Sequence, residues 1–191
     1  MAVRRIAAIG HPVLRTPAQD VPRDELDTVW FRELVGDMVD TMRHVGGAGI
    51  AANQVHVPIR VFAVEIADNP RYPYKPPFPL AVVVNPTLEI VGHERYLNNE
   101  GCLSVPGLRG DLHRPMHVVV TGWDGVGADV RHEVTGLTAG TFQHEMDHLE
   151  GRLYVDRVED SRTFSTWEEF DRHGRTAYLD RIEDAIRRTT P

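Results

Sequence analysis

The chain has 191 residues, the size of one domain that buries roughly two thirds of its unfolded surface. Lys and Arg number 21 against 28 Asp and Glu, giving a net charge of −7; the acidic residues are spread along the chain, and no basic stripe suited to a nucleic-acid duplex is visible. Hydrophobic residues at 41% and charged residues at 26% match globular usage and exclude wholesale disorder.

Arg4 and Arg5 precede an apolar run of only Ile6 to Ile9, too short for a signal peptide, and no stretch approaches the ~18 apolar residues of a membrane span. A soluble protein that stays in the cytoplasm is expected. Asp24 or Asp27 is expected to cap a helix through Leu26, Trp30, Leu34, Met38 and Met42, stopped by Gly46 and Gly47. Residues 59–66 read as a buried strand, and 69–79, with five prolines, as an irregular loop. Residues 81–84 and 87–91 read as strands broken by Asn85 and Pro86, and 116–123 with 128–134 as a hairpin around Asp124 to Gly127. Thr138 or Thr141 is expected to open a second helix ending at Gly151. Residues 153–158 are read as a further strand, and 166–188 as a C-terminal helix with Trp167, Phe170, Tyr178 and Ile182 among alternating charges. No repeat or linker divides the chain. Residues 1–191 are therefore read as one α+β domain, with short antiparallel sheets packed around the central helix and further helices at the N-terminal and C-terminal ends.

That central helix carries the chemistry. His144, Glu145, Met146, Asp147 and His148 spell HExxH, and residues four apart stand one above the other on a helical face, so both imidazoles can reach one cation with Glu145 beside them to handle a proton. A catalytic centre of this type needs a third protein ligand. The extension HExxHxxGxxH fails, because Tyr154 occupies its last position. Glu168 or Glu169 qualifies by spacing alone, and would make the chain an HExxH metallopeptidase. Cys102, the only cysteine, is the third candidate: a divalent cation deprotonates such a thiol and gains a strong soft ligand. A structural metal in a non-enzymatic binding module is the remaining alternative, and Glu145 and Gln54 speak against it. Gln54 closes the run Gly47-Ala48-Gly49-Ile50-Ala51-Ala52-Asn53-Gln54, an amide donor suited to a developing oxyanion.

Taken together, Gly47 to Gln54, Glu100 to Ser104 and Gln143 to His148 resemble the peptide deformylase motifs GxGxAAxQ, EGCxS and QHExDH, in that order. His11-Pro12-Val13-Leu14-Arg15, Asn85-Pro86 and Val105-Pro106-Gly107 extend the similarity over most of residues 5–160. The resemblance implies removal of the formyl group from N-formylmethionine of nascent bacterial polypeptides. It implies a metal held by Cys102, His144 and His148, namely Fe2+ with Zn2+, Ni2+ or Co2+ as substitutes. By the same resemblance Glu145 moves the proton, Gln54 and the Leu103 backbone N–H bind the oxyanion, and Glu100 supports a metal ligand from behind. Gly47, Gly49, Gly101 and Arg109 align the substrate backbone. Helical geometry adds Leu137, Gly140 and Thr141 to the pocket wall. Many relatives place bulky aliphatic residues where Asn98, Gly140 and Thr141 stand, which predicts a wider or more polar methionine pocket. A monomer without membrane contact is expected, with the C-terminal segment a candidate for contact with the ribosome near the nascent-chain exit.

Overall fold

The computed structural model describes residues 2–67 and 71–189. Helix α1 (Val29–His44) precedes strands β1 (Gly49–Ala51), β2 (Val61–Ile66) and β3 (Phe78–Ile90). Strands β4 (Arg95–Cys102), β5 (Val105–Pro115), β6 (His117–Trp123) and β7 (Asp129–Thr135) follow and lead into helix α2 (Gly136–Leu149). A short β8 (Ser165–Thr166) and the helical turn α3 (Trp167–Glu169) continue through a π-helical stretch, Phe170–Gly174, into α4 (Arg175–Arg187). The larger sheet runs β1-β2-β3-β6-β7 and the smaller β4-β5-β8. All pairings between these strands are antiparallel, as the α+β reading expects.

The apolar run of β2 is buried on both faces, which is why it shows no alternation in sequence. Val61 and Ala63 pack with Phe31, Leu34, Met38 and Met42 of α1. Phe62 and Val64 face the other way, onto Ala139, Phe142 and Leu149 of α2. Helix α2 is thus pressed between the larger sheet and the β4–β5 hairpin, and α4 closes its far side through Tyr178, Ile182 and Ala185 against Tyr96 and Leu137.

Several boundaries differ from expectation for identifiable reasons. Helix α1 is capped by Thr28, whose Oγ1 accepts from the Phe31 N–H at 3.2 Å, and not by Asp24 or Asp27. Starting later turns the stripe, so Phe31 enters the core while Trp30 stays 47% exposed. Strand β3 is continuous through Asn85 and Pro86: Asn85 takes a left-handed φ of 47° and the register slips between Val84 and Thr87, a bulge in place of a break. The Asn85 amide accepts from the Val21 N–H at 2.8 Å and donates to the Val21 carbonyl at 2.9 Å. The same strand already begins at Phe78, inside the proline-rich stretch, with Pro79 near its start, a position that tolerates a missing donor; residues 69 and 70 lie outside the described residues. Helix α2 begins at Gly136 after Thr135, ahead of Thr138 and Thr141, and Gly151 turns the chain away with φ 71°. Residues 153–158 hold a 3-10 turn, Tyr154–Asp156, in place of a strand, because the Asp156 carboxylate accepts the Leu153 N–H at 2.8 Å.

Candidate metal centre and active site

One helical turn separates His144 from His148 on α2, and their ring centroids lie 5.1 Å apart. Cys102 closes β4 directly opposite, with Sγ 3.2 Å from His148 Nε2. The ligand atoms of Cys102, His144 and His148 all lie within 4.8 Å of one another. Thiolate plus imidazole is a donor set for borderline-soft divalent transition metals, so these residues fit the cation that the sequence implies. Glu168 and Glu169, the rival third ligands, stand on an exposed surface and pair with Arg172.

The second layer is built to orient these ligands. His144 Nδ1 meets Glu100 Oε2 at 2.8 Å, which leaves Nε2 for an ion. Glu100 also accepts two bonds from Arg114, Nε to Oε1 at 2.8 Å and Nη2 to Oε2 at 2.9 Å. Arg114 Nη1 continues to Asp147 Oδ2 at 2.7 Å, and Arg157 adds its guanidinium to the same carboxylate. Burial alone would raise the Glu100 carboxyl, but Arg114 and His144 outweigh it and hold it well below the usual range. Beside the imidazoles, burial pushes Glu145 up to about 7, against the opposing influence of His144 and Lys75. Its Oε2 is buried without a hydrogen-bond partner. Gly49 makes room for it, since a Cβ there would lie 2.3 Å from Glu145 Oε1.

Gln54 is held by the chain itself: its Oε1 accepts from the Ala51 N–H at 2.8 Å. That contact turns Nε2 toward Ser104 Oγ at 3.1 Å and Cys102 Sγ at 3.6 Å. Gly47, Gly49, Gly101, Leu103, Arg109, Gly140 and Thr141, all named from the sequence, line one cavity with Cys102, His144 and Glu145. Leu137 is not among the lining residues; it is buried behind the wall with Tyr96, Tyr178 and Ile182, because α4 covers that side of α2. Lys75, Asn98, Asn99 and Thr141 give the cavity a polar wall, and Gly140 does not widen it. The Tyr96 hydroxyl stands 2.4 Å from where a Gly140 Cβ would be, and it donates to the Gly136 carbonyl at 3.0 Å. Sequence reasoning missed Tyr72, Tyr74, Lys75, Asn99 and Tyr178, which also line the cavity. One signal was available: Lys75 is the only lysine in the chain, all other basic side chains apart from histidine being arginine.

A purely structural metal has no use for a buried carboxyl with a free oxygen beside it, or for an amide aimed at the same space. Fold and site therefore define a metal-dependent hydrolase of amide bonds. The family model for polypeptide deformylase matches residues 3–164, and the chain belongs to the peptide deformylase family. It is 40% identical over 176 residues to the peptide deformylase of Leptospira biflexa, covering 92% of this chain and 98% of that relative. Among solved structures, the class I type b peptide deformylase of Acinetobacter baumannii bound to Met-Ala-Ser superposes with a TM-score of 0.79 at 39% identity, covering 82% of this chain and 98% of that one. The peptide deformylase of Legionella pneumophila gives a TM-score of 0.74 at 29% identity and covers 97% of this chain and 96% of its own.

Proposed function

We infer that this enzyme hydrolyses the formyl group from the amino terminus of N-formylmethionyl peptides, releasing formate and a free amine. The observation that carries the reading is the convergence of Cys102, His144 and His148 on one point beside the unpartnered Glu145 carboxyl. Cys102 Sγ, His144 Nε2 and a His148 ring nitrogen would hold a divalent cation, which when bound acidifies water to a pKa of about 7 in zinc hydrolases and polarises a carbonyl. Fe2+ is the proposed resident ion, with Zn2+, Ni2+ or Co2+ able to replace it.

The residues of the chain do the rest. Glu145 accepts a proton from the attacking water. Gln54 Nε2 and the Leu103 N–H donate to the oxygen that becomes negative as the formyl carbon turns tetrahedral, an interaction that contributes ~3 kcal/mol in comparable sites. Glu145 then delivers its proton to the amide nitrogen as the C–N bond breaks. A carboxyl that titrates near neutrality is suited to both transfers. Gly47, Gly49, Gly101 and Arg109 border the space through which the substrate backbone reaches the reacting carbon.

The test is formate release from formyl-Met-Ala by anaerobically purified protein, with metal content determined on the same sample. Hydrolysis that rises with bound metal supports the reading; metal-loaded protein without hydrolysis contradicts it. The proposal extends to a cytoplasmic monomer that meets nascent chains near the ribosomal exit. Among the described residues no helix is long and apolar enough to cross a membrane. Loss of ribosome co-sedimentation on truncation after Arg162 supports that contact, and unchanged co-sedimentation removes it.

A further inference from the structure

The wall of the cavity away from the metal ligands carries two cations without a counter-ion. Lys75 Nζ donates to Thr141 Oγ1 at 2.9 Å and stands 4.9 Å from the Tyr72 ring centroid. That hydroxyl is itself turned back to the Leu137 carbonyl at 3.1 Å, so it accepts from the ammonium and two of the three ammonium protons are left over. Arg109, 1% exposed, gives Nε and Nη2 to Asn99 Oδ1 and O at 2.6 and 2.8 Å and lies against Trp167 and Phe170 at 3.9 and 4.4 Å. Its Nη1 is buried without a hydrogen bond. Among the described residues, neither cation forms an ion pair with a carboxylate.

The carboxylates that share this cavity, Glu100 and Glu145, make no hydrogen bond to either cation. Glu100 is taken by Arg114 and His144, and Glu145 influences Lys75 only through space. Asn98 is used at both ends, accepting from the Tyr178 hydroxyl at 2.8 Å and donating to Glu100 at 3.0 Å. Lys75 is half-buried, and an ammonium partly withdrawn from water with free donors and no hydrogen-bonded carboxylate is unfavourably placed. Burial accordingly lowers Lys75 to about 8 against the opposing pull of Glu100 and Glu145, the direction expected of an amine without a hydrogen-bonded carboxylate.

We propose that Lys75 gives the cavity a second substrate class: formylated peptides whose first side chain ends in a carboxylate, accepted at least as well as those that begin with methionine. A glutamate side chain matches methionine in length to the fourth atom, so the carboxylate occupies the place of the thioether and takes the free Lys75 protons. The proposal rests on the deformylase reading for the position of the reacting group.

Two product-like tripeptides, Glu-Ala-Ser and Met-Ala-Ser, separate the two questions. Calorimetric titration of the metal-loaded enzyme should give Glu-Ala-Ser an affinity equal to or above that of Met-Ala-Ser. Lys75→Met should shift the affinity ratio toward Met-Ala-Ser by about tenfold or more, the loss expected for a charge-assisted hydrogen bond, and Lys75→Arg should restore most of it. Since Lys75 is the only lysine, acetic anhydride labelling read by peptide mass mapping gives an independent readout. Glu-Ala-Ser should protect Lys75 from acetylation and Met-Ala-Ser should not. A wild-type preference for Met-Ala-Ser that Lys75→Met leaves unchanged overturns the proposal. Formate release from the matching formyl peptides is followed in parallel. A Lys75-dependent affinity for Glu-Ala-Ser without any formate release would overturn deformylation and leave the pocket assignment standing.

Discussion

Glu145 illustrates how much one side chain depends on its immediate surroundings. Its acidity is raised by burial, its place is left free by the missing side chain of Gly49, and its proposed role follows from the two histidines beside it. Glu145→Gln keeps the shape and removes the base. It should retain the metal and the melting temperature while formate release falls by about 10²–10⁴, the usual contribution of a positioned acid–base group; a variant of near wild-type activity would remove Glu145 from the proton path. The pairing of His144 and His148 with Glu145 beside them was legible because HExxH is a short spacing on one helix, whereas Cys102 and Gln54, far away in the chain, were candidates by side-chain chemistry that only motifs resembling the family's tied to the site. Lys75 and Tyr178 were not legible, because a proline-rich loop and a distant helix bring them to the cavity, and neither position has a local pattern.

At the level of elements, the site is the seam between α2 and β4. Small residues on α2 set how closely the two approach: at Gly140 the Tyr96 hydroxyl occupies the place a side chain would take, while the Tyr96 Cζ stands at 3.6 Å, ordinary contact. Gly140→Ala should therefore destabilise by about 1–3 kcal/mol. In a Tyr96→Phe background most of that loss should vanish, which a double-mutant cycle of denaturant unfolding measures; additive losses would mean that the two do not touch. The same seam explains what sequence reading left blank. Strands β4 and β5 point Asn98, Asn99, Glu100, Arg109 and Arg114 inward, all buried, so the apolar alternation that betrays a strand is absent. By contrast β2, β6 and α1 were found because most of their buried positions are apolar; the start of α1 shifted to the Thr28 cap, and β3 runs on through Asn85, which pairs with Val21.

Over the whole molecule, one buried ionic chain ties the smaller sheet to α2, from Glu100 on β4 through Arg114 on β5 to Asp147 on the helix. Removing its centre leaves the buried Glu100 carboxylate with only Asn98 and His144, and Asp147 with Arg157 as its remaining guanidinium. Arg114→Met should cost about 3–5 kcal/mol of stability and, by releasing Glu100 and with it His144, about 10–100-fold in metal affinity; denaturant unfolding and competition with a chelator measure both, and unchanged values would contradict the link. The N-terminal strap is tied down by a separate group. Asp37 accepts the Ala2 N–H at 2.6 Å and the Arg4 guanidinium at 3.0 Å, and these bonds hold its carboxyl below the ordinary 3.8, the backbone bond contributing most. A lowered folded value means stability that is present above the unfolded value and lost as pH falls through the folded one. The difference in melting temperature between wild type and Asp37→Asn should thus stay level from neutral pH down to about 5 and shrink below 3.8; a gap independent of pH would show that the charge has no part. The α+β class and the helical frame were readable from periodicity, whereas the division into two sheets depends on pairings between distant segments that no local pattern records.

The central claim is that Cys102, and no downstream glutamate, completes the metal centre with His144 and His148. Metal content per chain, measured on anaerobically purified wild type, Cys102→Ala and Glu168→Ala, tests it most directly. The account predicts about one divalent ion in wild type and in Glu168→Ala and almost none in Cys102→Ala. Full metal in Cys102→Ala together with its loss in Glu168→Ala would contradict it.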